Sequence, residues 1–81
     1  MHPFPDETLR AEALFASDLQ ASDPVGPADV DEAVDRMLRT DGPCECVARM
    51  AYEFGEHPDT AVRRMGWARR MVRRSPSPSV N

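Results

Sequence analysis

Three side chains near the middle of the chain could support thiol or metal chemistry: Cys44, Cys46 and, eleven residues on, His57. On a helix, Cys44 and Cys46 point about 200° apart, so their sulfurs could not hold one ion. No fourth ligand stands nearby, whereas zinc takes four protein ligands, or three and a water. The C-x-x-C spacing of dithiol redox sites is also missing. The pattern implies no metal and no cofactor, with one buried and one exposed cysteine, both free thiols in a reducing compartment. Catalysis is no better supplied. The only histidines are His2 and His57, and neither belongs to a Ser/His/Asp or Cys/His set. With no glycine-rich phosphate loop and no defensible pair of carboxylates, no enzyme and no small-molecule substrate are expected.

The arginines carry the stronger signal. All ten basic residues are arginine and lysine is absent. A GC-rich, bacterial coding bias accounts for the total, but the distribution is uneven. Residues 1–42 hold ten acids against three arginines, a net −7, and residues 43–81 hold seven arginines against four acids, a net +3. From Asp59 to Arg74 six arginines meet one acid. Such a split suggests a basic surface on the last helix. Alternatively, that helix packs beside an acidic one and the charges neutralise within the fold or across a dimer, and the helix dipole alone favours arginine near a C-terminus. The overall charge of −4 argues against strong nonspecific DNA binding, since such domains are usually basic overall.

The elements that would position these residues are helical. At 81 residues the chain is one domain with a single small core, the size at which a partner chain or another staple is often needed. Ala, Val, Leu and Met dominate the apolar residues and Ile is absent, a mix that favours helix over sheet. Proline and glycine punctuate four segments. The first runs from about Pro5 to Gln20, and the second from Pro27 to about Thr40, where Val30, Ala33, Val34, Met37 and Leu38 form an apolar face. The third spans about Pro43 to Phe54, with Val47, Met50, Ala51 and Phe54 as its inward stripe and Gly55 as the left-handed residue that ends it. The fourth runs from Pro58 to about Arg74, with Ala61, Met65, Ala68 and Val72 on one face and Arg63, Trp67, Arg70 and Arg74 on the other. The expectation is an all-α bundle of three to four helices containing a helix-turn-helix-like corner. Residues 1–4 would be a flexible N-terminus, 5–74 the single domain and 75–81 a disordered tail.

The corner carries a resemblance. Residues 47–66, VARMAYEFGEHPDTAVRRMG, resemble the helix-turn-helix superfamily of bacterial DNA-binding proteins. Ala51 takes the small-residue position of the first helix, Gly55 the turn four residues later, and Ala61 a buried position of the second helix. HPDTAVRR looks like the start of a recognition helix. Glu56 stands where a hydrophobic residue is usual after the turn glycine, and Arg64 where an apolar one is usual. The resemblance implies that Pro58–Arg74 enters a DNA groove, with His57, Asp59, Thr60, Arg63 and Arg64 near base edges and phosphates. Arg70, Arg73 and Arg74 would follow the backbone.

Trp67 has two readings. Exposed between Arg63 and Arg70, it would be a binding hot spot; covered by the first helix, it would be core or a dimer contact, as the usual burial of tryptophan favours. A protein partner or a homodimer is as well supported as DNA. No segment is long and apolar enough for a membrane span, and MHPFPDE lacks the basic and apolar regions of a signal peptide, so a cytoplasmic protein is expected.

Overall fold

The computed structural model of the protein describes residues 6–75, which form four helices and, among the described residues, no strand. Helix α1 spans Glu7–Ala16, α2 Pro27–Thr40, α3 Gly42–Glu56 and α4 Pro58–Arg74. The small all-α bundle expected from composition and punctuation is the architecture found. The expected flexible N-terminus, the start at Pro5 and residues 76–81 of the expected tail lie outside the described residues.

Helix α1 begins where Asp6 caps it, its Oδ1 accepting the Leu9 N–H at 2.8 Å. It stops at Ala16 rather than at the expected Gln20. Ser17 turns to extended backbone and donates its hydroxyl to the Leu14 carbonyl at 2.6 Å. The Phe15 carbonyl accepts instead from Arg64 Nε of α4, at 2.8 Å. Both carbonyls would have received the N–H groups of a further turn, so the helix cannot continue.

Helix α2 keeps its expected limits because its punctuation acts locally. Pro27 takes the first helical position, and the Asp29 carboxylate reaches back to accept the Gly26 N–H at 2.9 Å. At its other end Gly42 adopts a φ of +86°, a conformation that only glycine enters freely, and α3 follows at once. Between α3 and α4 the connection is the single residue His57, and here the expectation needs correction. Gly55 lies inside α3 and does not have positive φ. Pro58 makes the break, since a proline disfavours helical backbone at the residue before it and His57 accordingly leaves the helical region.

Helix α1 packs against the other three helices, with Ala11, Ala13, Leu14 and Phe15 at the centre of the core. Phe15 stacks on Phe54 of α3 with ring centroids 5.8 Å apart. Val30, Ala33, Val34 and Met37 of α2 and Ala61, Met65, Ala68 and Val72 of α4 face inward as their spacing requires. The face of α3 differs from expectation. Cys46, Met50 and Phe54 point at the core, while Val47 and Ala51 are exposed. The folded part also extends one residue past α4. Ser75, expected in the tail, is buried, and its hydroxyl lies 2.9 Å from the Pro27 carbonyl and 2.8 Å from Asp31 Oδ1, both acceptors. Asp31 Oδ1 also accepts from the buried Arg10 at 2.6 Å, so this cluster ties α1, α2 and the end of α4 together. No helix among the described residues is long and apolar enough to cross a membrane.

Candidate functional site

The residues expected to bind a partner lie on α4, and the structure divides them into two groups. Arg63, Arg70, Arg73 and Arg74 are exposed on its outer side. At 100° per residue they share an arc with Arg69, which sits one turn before Arg73 and completes a set of five arginines within about 140°. Arg69 is absent from the expected binding set, although its i, i+4 relation to Arg73 places it there. His57, Asp59 and Thr60 are exposed at the N-terminal end of the same helix, and Asp59 is the one acid on the arc.

Arg64 and Trp67 belong to the interior, and both leave the expected binding set. Trp67 is 7% exposed although it lies only about 20° beyond Arg74 on the helix wheel, and the Arg64 guanidinium lies over its ring. Arg64 is half-buried and spent on the structure. Its Nε donates to the Phe15 carbonyl at 2.8 Å, and its Nη2 to the Ser17 carbonyl at 2.9 Å and the Leu14 carbonyl at 3.4 Å. The guanidinium lies 4.9 Å from the Trp67 ring centroid and 5.7 Å from that of Phe15. Burial pushes its pKa below the ordinary arginine value, and Glu53 pulls partly the other way. A planar cation with several donors suits both the carbonyl end of a helix and an aromatic face.

The acidic half of the chain does not neutralise the arc from α2. Asp35 pairs with Arg39 of its own helix at 2.9 Å, Asp31 with Arg10, and Asp41 with Arg49 of α3 at 3.0 Å. On the arc, Arg73 meets Glu7 of α1 at 2.7 Å, an exposed pair of small energetic weight. Arg63, Arg69, Arg70 and Arg74 form no ion pair among the described residues.

Other sites offer less chemistry. A groove of about 590 Å³ runs between the end of α1 and α3, with Arg49, Arg64, Tyr52, Glu45 and Glu53 on its walls. Both guanidiniums there already donate to carbonyls at the end of α1, and the two glutamates offset their charge. Cys44 is exposed and Cys46 is buried, and both are free. Burial, with a smaller contribution from Asp41, raises the Cys46 thiol above its ordinary value and makes it a poor nucleophile. Among the described residues no group of three or more His, Cys, Asp or Glu could hold a metal.

Beyond the departures at Glu56 and Arg64, the corner between α3 and α4 differs from a DNA-binding helix-turn-helix in its connection: a single residue joins the helices, where that motif uses a turn of three or four. No family model, curated protein or solved structure matches the chain, so the α4 arc stands on its own geometry.

Proposed function

We propose that the protein is a small, non-catalytic nucleic-acid-binding module that uses the outer face of α4. The observation that carries this is the set of five exposed arginines on one arc, four of them with no acidic partner among the described residues. Guanidinium groups spaced along one helix face suit a row of phosphates. His57, Asp59 and Thr60, at the exposed start of α4, are the groups that would meet base edges, as the helix-turn-helix resemblance implies. Arg64 and Trp67 make no contact in this arrangement. The affinity of one such helix is low, and the chain's net charge of −4 reduces it further.

A second reading, an acidic protein partner, draws on Val62, which is 61% exposed among the arginines and would add apolar contact. Titration of labelled double-stranded DNA at two salt concentrations separates the two. Wild type should bind with a slope of log K against log salt of roughly −3 to −4, about 0.9 per phosphate neutralised. Arg63→Ala/Arg70→Ala should reduce that slope by about 2. No salt-dependent binding at low ionic strength would end the nucleic-acid reading and leave the acidic partner.

A further inference from the structure

Gly66 stands at the middle of the 17-residue α4, in a helix interior where glycine is the least favourable residue after proline. A glycine in such a place usually makes room for a closely packed neighbour. Gly66 does not. Outside the helix's own backbone, an ideal Cβ there would meet a single atom of the described residues within 4 Å, Nη1 of Arg70 at 3.4 Å. No core side chain uses the space, so the bundle itself gives no reason for the glycine.

The space opens instead on the basic face. At about 100° per residue Gly66 falls near the centre of the arginine arc. Val62 borders it one turn before, and Arg69 and Arg70 one turn after, all three exposed. Helix side chains lean toward the N-terminus, so Arg69 and Arg70 reach back toward Gly66 while Arg63 leans away from it. The position of Arg70 Nη1 agrees with that direction. Together they form a shallow notch with bare backbone as its floor and two guanidiniums at its rim, neither of them in an ion pair among the described residues.

We infer that this notch seats one phosphate of the bound nucleic acid, held by Arg69 and Arg70 and brought close to the helix by the missing side chain at Gly66. A phosphodiester has two non-bridging oxygens, one for each guanidinium, and charge-assisted bonds of this kind are the strong ones. The inference rests on the nucleic-acid reading of α4 and adds a register to it. The sugar-phosphate strand crosses the helix at Gly66, with Arg63 and the groups facing the bases on its N-terminal side.

Binding of labelled double-stranded DNA at several salt concentrations, with thermal unfolding of each variant, tests it. Gly66→Ala should raise Tm by about 4 to 8 °C, since alanine is the better helix former and its methyl meets nothing in the core. The same variant should weaken DNA binding by about 10-fold. It should also lower the slope of log K against log salt by about 0.9, the value of one phosphate, although no charge is removed. Gly66→Leu, whose side chain covers the notch, should lose at least as much affinity. Arg70→Ala should weaken binding in the wild-type chain and add little in the Gly66→Ala chain, because both changes act on one phosphate. A stabilised Gly66→Ala that binds with wild-type affinity and slope overturns the inference and leaves the nucleic-acid reading standing. Additive losses from Gly66→Ala and Arg70→Ala do the same, as does a lowered Tm for Gly66→Ala, which would give the glycine a structural role. A wild type with no salt-dependent binding removes the reading and the inference together.

Discussion

Two arginines reach the interior of this molecule, and they are held in opposite ways. Arg10, 6% exposed, meets the carboxylate of Asp31, and Ser75 completes the cluster. Arg64 meets no carboxylate; it rests on the last carbonyls of α1 and on the faces of Trp67 and Phe15. A buried charge can therefore be accommodated either by an opposite charge or by the collected dipoles of a helix end. The first solution is local to a pair and can be removed with the pair. The second gives the helix end its shape, and no single substitution of a partner can replace it.

The largest effect should follow Arg64→Met, which keeps much of the side chain's volume and removes its donors. Loss of the carbonyl bonds and of the aromatic stacking should cost roughly 3 kcal/mol, read from urea unfolding, with red-shifted Trp67 emission as the covering guanidinium is lost. Arg64→Lys should restore only part of this, since one ammonium cannot span three carbonyls in a plane and stack as well.

Asp31→Ala should come next, at about 2 kcal/mol, because it leaves Arg10 buried and unpaired; the carboxylate is itself 31% exposed, which lowers the cost below that of a fully buried pair. Combining it with Arg10→Met should recover most of the loss. The comparison between the two arginines fails if the double variant is no more stable than Asp31→Ala. The smallest effect belongs to Ser75→Ala, about 1 kcal/mol for one hydrogen-bonding hydroxyl. Thermal unfolding of this variant, with and without Arg10→Met/Asp31→Ala, should show the serine's contribution shrinking once Asp31 is gone.

Much of the fold was legible because proline, glycine and capping residues act over a few positions. The limits of α2 follow from Gly26-Pro27 and Asp41-Gly42 alone. The break before α4 is legible in Pro58, which forces it, and not in Gly55, which stays helical. The orientation of α3 was read differently for a physical reason. The apolar residues of α3 form one broad arc, and only its neighbours choose whether its Val47/Ala51 part or its Cys46/Met50 part, about 100° apart, turns inward. Arg64 was legible as a residue at the core edge, but its acceptors lie 47 to 50 positions away and leave no local trace. Arg10 carries a local signal, since it shares a helical face with Ala13 and Leu14, both fully buried. The basic arc of α4 could be drawn from spacing. That α2 leaves it unneutralised could not, because pairing depends on how the helices are arranged.

The contact between Arg64 and the end of α1 has a consequence for the order in which the chain can fold. During synthesis α1 emerges first, but the group that completes its last turn is made some fifty residues later. The Ser75 hydroxyl closes on Pro27 and Asp31 across a similar span of chain. With both ends of the bundle fastened from α4, the first three helices have no stable stopping point of their own. A chain cut before Pro58 should therefore lack a cooperative unfolding transition, which thermal denaturation of that fragment would test.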